Sequence, residues 1–100
     1  MNLTVAVWAT TGAVFSIGLA IVVVRRQLLA MLLGLELMLA AVNVSLVHHA
    51  ELYRDEQALA VVVLVIAVAA AEAVVGLSLI LRLRRAGVAA DTAQLRELRG

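Results

Sequence analysis

The fold is decided by an apolar stretch with one carboxylate at its centre, residues 32–39, which read LLGLELML. The acid is Glu36, and no other charged side chain lies within nine positions of it on either side. An ionised carboxylate in hydrocarbon must be neutralised, paired or turned toward protein. A second stretch, residues 68–76 (VAAAEAVVG), repeats this arrangement around Glu72. Two isolated glutamates in apolar segments are therefore the main chemical feature of the chain.

The composition indicates an integral membrane protein. Of the 100 residues, 65% are hydrophobic and only 15% are charged, whereas soluble domains are roughly 45–50% apolar. A soluble domain of this size could not bury so much apolar surface. The net charge of +1, without a basic patch, argues against a nucleic-acid partner. The absence of cysteine excludes disulfides and cysteine-ligated metals within this chain.

The hydropathy pattern predicts an all-α membrane protein with three transmembrane helices, at about residues 3–24, 28–47 and 58–81. Each apolar run is long enough to cross the bilayer, which takes about 20 residues. The runs are continuous and do not alternate, which excludes a transmembrane β-barrel. We expect a transmembrane domain over residues 1–85 and a short, mostly exposed tail over residues 86–100.

Within the first span, Gly12 and Ser16 form a pair of small residues one turn apart. Such a pair allows close approach of a second helix. We therefore expect this pair to form a packing contact.

The basic residues predict the orientation. Arg25 and Arg26 follow the first span, and three arginines close the third span at residues 82–85. Basic loops favour the cytoplasm, so the N-terminus is expected outside, in the periplasm, and the C-terminus in the cytoplasm. The second connection, residues 48–57, is then an acidic outer loop. It contains His48 and His49, which are expected to be solvated, because adjacent helical positions point in different directions and make a poor metal-binding pair.

Helix geometry predicts that the two glutamates lie at matching depth. Glu36 is nine residues past Gln27, about 13–14 Å into the membrane, and Glu72 is ten residues before Arg82, about 15 Å from the same surface. Each costs on the order of 2.5–3.5 kcal/mol at a helix centre, so packing alone does not account for them. Asn43 lies two turns beyond Glu36 on the same face, which should point at protein.

A carboxyl group that is stable in its neutral form can take up and release a proton, so a relay for protons or Na⁺ is the favoured role. The alternative is that each glutamate is a protonated hydrogen-bonding pin between helices. The spans contain no Lys, Arg or His to pair with either acid. Partners are therefore expected from other chains of a larger membrane complex.

Several motifs resemble the K subunit of bacterial NADH:quinone oxidoreductase, respiratory complex I. The resemblance extends from about Gly18 to Leu81, and its motifs are residues 25–29 (RRQLL), 34–43 (GLELMLAAVN) and 68–77 (VAAAEAVVGL). Two positions differ from the family pattern, which commonly has Asn where this chain has Gln27 and Ala40. The change at Ala40 makes the polar stripe around Glu36 drier and more dependent on Asn43.

The resemblance implies a multi-pass subunit of the bacterial plasma membrane, bound to other subunits of the membrane arm of complex I. In that family the two intramembrane glutamates, here Glu36 and Glu72, belong to the axis that couples quinone reduction to proton translocation. The arginines of the short loop, here Arg25 and Arg26, support this function, and we add Asn43 as a supporting polar residue. The subunit is non-catalytic and binds no cofactor or metal. NADH, FMN, iron–sulfur clusters and quinone belong to other subunits.

Three alternatives to this function are open. The first is a small subunit of a related multi-subunit cation/proton antiporter or membrane-bound hydrogenase complex. The second is a small multidrug exporter, which needs four spans and usually more aromatic residues than the 3% found here. The third is a purely structural membrane adaptor.

Overall fold

A computed structural model describes residues 2–87 and residue 96, and contains three helices in this part of the chain. They are α1 (Leu3–Val24), α2 (Leu28–Tyr53) and α3 (Glu56–Arg85). All three are long and apolar enough to span a membrane. The all-α fold with three such helices is therefore confirmed. Most of the predicted tail, residues 88–95 and 97–100, lies outside the described residues.

The connection between α1 and α2 is as short as predicted. The Asn2 side chain caps α1 by accepting a hydrogen bond from the Thr4 N–H at 2.9 Å. At the other end the backbone becomes extended at Arg25, with φ −82° and ψ 140°. Residues 25–27 then lead directly into α2, which reverses the chain direction.

The predicted outer loop over residues 48–57 is wrong. Helix α2 continues to Tyr53 and α3 begins at Glu56, which leaves only Arg54 and Asp55 between them. Arg54 has left-handed backbone geometry, with φ 51° and ψ 46°, and reverses the chain. Asp55 Oδ1 then accepts hydrogen bonds from the N–H groups of Gln57 and Ala58, at 3.0 and 3.1 Å. The prediction failed because hydropathy marks the edge of the apolar region, whereas caps decide where a helix ends.

The three helices form a row with α2 in the middle. Helix α2 packs against both α1 and α3, whereas α1 and α3 make almost no contact with each other. Few side chains are buried, and the buried apolar ones are Ala41, Ala50, Ala58, Val62 and Ile80. Most large apolar side chains face outward, as expected where lipid or neighbouring helices cover the surface.

The closest contact between α1 and α2 is made by Gly18 and Gly34. A Cβ built on Gly18 would lie 2.6 Å from the Gly34 carbonyl oxygen, and a Cβ on Gly34 would lie 2.7 Å from that of Gly18. The two backbones therefore touch directly, which only glycine permits.

The predicted close approach at Gly12 and Ser16 is wrong for contacts within this chain. A Cβ on Gly12 would have nothing within 4 Å, and Ser16 is exposed. The Ser16 hydroxyl instead donates to the Gly12 carbonyl of its own helix at 2.8 Å. The spacing of small residues was correctly recognised, but where two helices cross depends on their relative shift, which the spacing does not specify.

Candidate functional site

Glu36 lies on the side of α2 that faces α3. Gly34, which contacts α1, is two positions before Glu36 and therefore about 200° away around the helix. A Cβ built on Gly76 of α3 would lie 3.1 Å from the methyl groups of Leu32, which is four positions before Glu36 and only about 40° away. The helix therefore presents glycine to one neighbour and the carboxyl group to the other.

The side chains of Glu36 and Asn43 each bury an oxygen that has no hydrogen-bond partner among the described residues. These atoms are Glu36 Oε1 and Asn43 Oδ1, on half-buried side chains two turns apart, or about 10.5 Å along α2. Buried polar atoms are nearly always hydrogen-bonded. Both oxygens are therefore free to accept a hydrogen bond from a donor outside this chain.

Glu72 lies in a different environment, in an open groove between α2 and α3. The groove has a volume of about 440 Å³. Its other lining residues are all apolar, namely Leu32, Leu35, Val68, Ala71, Val75 and Gly76. Glu72 is exposed on the surface of the single chain. Because a carboxyl group at membrane depth is unfavourable against lipid, this groove requires a protein neighbour.

The two glutamates lie at the same height along the axes of α2 and α3. Gly76 contacts Leu32, so these two residues mark one level on antiparallel helices. Glu36 follows Leu32 by four residues and Glu72 precedes Gly76 by four, so each lies about 6 Å further toward the connection between α2 and α3. This placement agrees with the matching depth expected from the sequence. The two acids differ in their surroundings, since Glu36 is half-buried and Glu72 is exposed.

The hydroxyl groups within the described spans make no hydrogen bond to Glu36 or Glu72. Four of them donate to a backbone carbonyl four residues earlier in their own helix, at 2.7–3.2 Å; the pairs are Thr11 with Val7, Ser16 with Gly12, Ser45 with Ala41, and Ser78 with Val74. Such bonds satisfy a hydroxyl locally in a membrane helix. The Thr4 hydroxyl lies against His48 instead. Among the described residues, the buried polar atoms that lack a partner are on Glu36 and Asn43, whereas Glu72 is an exposed acid.

The predicted supporting arginines lie at the opposite end of the row from the connection between α2 and α3. Arg25 and Arg26 are exposed in the connection after α1, and the arginines at 82, 84 and 85 end α3. Since neighbouring helices are antiparallel, both basic groups share one end of the row. They are 10 to 13 residues along the chain from the glutamates and do not contact them.

The contacts made by the two histidines were not predicted from the sequence. His48 Nε2 lies 3.1 Å from the Thr4 Oγ1 of α1, and His49 Nε2 lies 3.6 Å from Oδ2 of Asp55, the N-cap of α3. Adjacent helical positions diverge by about 100°, so one histidine reaches each neighbouring helix. Among residues 2–87 there is no group of three or more potential metal ligands. The sequence feature that could have indicated these contacts is the position of the two adjacent histidines on the middle helix.

The fold and the site define a class, that of small membrane proteins with three spanning helices, two of which carry a carboxyl group within the span. Residues 6–100 match the family model described as NADH-ubiquinone/plastoquinone oxidoreductase chain 4L. The chain belongs to this family, which confirms the resemblance noted in its sequence.

Individual relatives agree with the family model over most of their length. The chain is 36% identical over 92 residues to NADH-quinone oxidoreductase subunit K of Deinococcus radiodurans, covering 92% of this chain and 89% of the relative. It is 41% identical to the protein of the same name from Akkermansia muciniphila, over 89% and 90% of the two chains. The subunit K of Thermomicrobium roseum is 43% identical, over 89% and 87%.

Proposed function

We propose that this chain is a membrane-arm subunit of NADH:quinone oxidoreductase that helps to couple quinone reduction to proton translocation through Glu36 and Glu72. The observation that carries the proposal is the placement of two carboxyl groups at one level of neighbouring antiparallel helices. Membership of the subunit K family supports the complex, and favours it over an antiporter, a hydrogenase complex or a multidrug exporter.

The chemistry expected of these groups is reversible protonation. A carboxyl group that alternates between its protonated and ionised forms takes up a proton and passes it on. Asn43 offers a polar oxygen two turns from Glu36, on the same side of α2. Arg25 and Arg26 lie too far away to pair with the acids, so their supporting role is at the membrane surface.

The remaining parts of the pathway belong to neighbouring subunits. Glu72 lines an open groove that lipid cannot satisfy, and a helix of another membrane-arm subunit is the occupant that fits. The redox cofactors NADH, FMN, iron–sulfur clusters and quinone are assigned to other subunits, and this chain performs no redox step.

The proposed orientation rests on the distribution of charge, and the proposed location rests on membership of the family. The basic end of the row is placed in the cytoplasm and the end with the histidines in the periplasm, in the bacterial plasma membrane. This makes the N-terminus periplasmic and the C-terminus cytoplasmic.

The test is to replace Glu36 and Glu72 separately with Gln in the assembled complex. We expect NADH-driven proton pumping to fall by about tenfold or more in each variant, because an amide cannot release a proton. Glu56→Gln is the matched control, since Glu56 is an exposed acid in the first turn of α3, and it should pump normally. Undiminished pumping in both membrane variants would show that the glutamates are only hydrogen-bonding pins.

A further inference from the structure

Helix α2 is held between two tight contacts at one level. On the α1 side Gly34 touches Gly18, and on the α3 side Leu32 fits against Gly76. Leu32 and Gly34 are two positions apart and so project in nearly opposite directions. Both glutamates lie one helical turn beyond this level.

The contact between Gly18 and Gly34 leaves no room for a side chain on either helix. A Cβ on Gly34 would lie 2.7 Å from the Gly18 carbonyl oxygen and 2.9 Å from Cγ2 of Val22. The first of these atoms belongs to the backbone of a helix and cannot turn aside. Even alanine at position 34 must therefore move α1 away or rotate α2 about its own axis.

Rotation of α2 would act directly on Glu36. The carboxyl group lies about 200° around the helix from Gly34 and about 40° from Leu32, which places it on the side of α2 facing α3. Its Oε1 is buried. The outer end of α2 is held to α1 by the 3.1 Å contact between His48 and Thr4. In the other half of α2 the backbones of α1 and α2 touch at the two glycines, so a change at this contact would alter the direction in which Glu36 points.

We propose that Gly34, through its contact with Gly18, is a positioning residue that fixes the rotation of α2 and thereby keeps Glu36 in the interface with α3. This inference rests on the proposed function of Glu36 in proton translocation. Gly34 itself touches no proton-carrying group. Its role is exerted entirely through the helix that it shares with Glu36.

The experiment compares Gly34→Ala with Gly12→Ala in the assembled complex. Both variants add one methyl group to a helical glycine, but at Gly12 there is nothing within 4 Å of the new atom. We expect Gly34→Ala to lower the number of protons pumped per NADH oxidised by at least about twofold, and Gly12→Ala to leave it unchanged. Equal ratios in both variants would overturn the inference.

A double variant separates positioning from a general structural defect. If Gly34 acts through Glu36, Gly34→Ala should cause no further loss of pumping when Glu36 is already Gln. A merely structural role predicts the same fold loss in both backgrounds. That result would overturn the inference while leaving the proposed function of Glu36 intact.

Rotation of α2 can also be measured without reference to pumping. Leu32→Cys and Gly76→Cys introduce a thiol pair at the contact between α2 and α3, in a chain that has no other cysteine. We expect Gly34→Ala to slow disulfide formation between them by at least about twofold, and Gly12→Ala to have no effect. An unchanged rate of disulfide formation would contradict the inference. This result does not depend on whether Glu36→Gln supports the proposed function.

A second variant covers the case in which Gly34→Ala does not assemble. Gly18→Ala imposes the same separation from the α1 side, since its Cβ would lie 2.6 Å from the Gly34 oxygen, and it leaves α2 unaltered. The same two measurements then apply. If neither variant assembles, the contact between Gly18 and Gly34 is needed for folding rather than for positioning Glu36, and the inference is overturned.

Discussion

Asn43 is the only polar neighbour that α2 itself provides for Glu36 on the same face. Its Oδ1 is buried without a partner in the described part of the chain. Ala40, which lies between the two residues, contributes no polar atom and is exposed. A path of hydrogen bonds along this face must therefore use Asn43 or go outside the chain.

Asn43→Leu should slow NADH-driven proton pumping by about threefold, because the replacement removes the polar amide and keeps the branching of the side chain at Cγ. Electron transfer should be less affected. The matched control is Ser78→Ala, which also deletes a polar group within a span, but one whose hydroxyl donates to its own helix at 2.7 Å. Pumping that falls equally in both variants would argue against a special role for Asn43.

Among the helices, the end of α2 and the start of α3 show what the sequence could and could not predict. The three spans and their two acids were predictable, because hydropathy and isolated charges are local properties of the sequence. The extension of α2 to Tyr53 was missed, although Asp55 followed by Glu56 is a recognisable helix start. The contact between Gly18 and Gly34 was not predictable, since it depends on how two helices shift relative to each other.

Asp55→Ala should lower the free energy of unfolding by about 1 kcal/mol, the usual cost of losing an N-cap. Unfolding in detergent, followed by loss of helical signal, measures this difference. Asp55→Asn should retain most of the stability, because Asn caps as well as Asp. The asparagine variant also removes the ion pair with His49, which at 3.6 Å and with both side chains partly exposed contributes little. A large loss in Asp55→Asn would assign the stabilisation to the ion pair instead.

The three helices of the described chain form a row, and this arrangement leaves the surface beside Glu72 open. Helix α2 has a neighbour on each side, but α1 and α3 do not close over it. Glu72 is consequently exposed in a groove that this chain leaves open. Partner chains were predicted from the sequence because the spans lack a basic residue that could pair with the acids. The arrangement of the helices indicates that such a partner would bind at the groove beside Glu72.

Val75 provides a test of this groove, since it lines the groove beside Glu72 and is 59% exposed. In Val75→Cys, a membrane-permeant maleimide should label the thiol when the chain is expressed without its partner subunits. Labelling should be about tenfold slower in the assembled complex, because a partner helix covers the groove. Equal labelling in both preparations would place the partner elsewhere.

The level at which Glu36 and Glu72 lie has an energetic consequence. Moving one elementary charge across the membrane against 100 mV takes about 2.3 kcal/mol. A proton passed from one of these carboxyl groups to the other would move along the plane of the membrane, since both lie one turn beyond the same contact. That transfer would cross almost none of the voltage drop. The membrane potential would therefore act on the steps that bring protons to this level and take them away, and would leave the exchange between the two acids nearly independent of voltage.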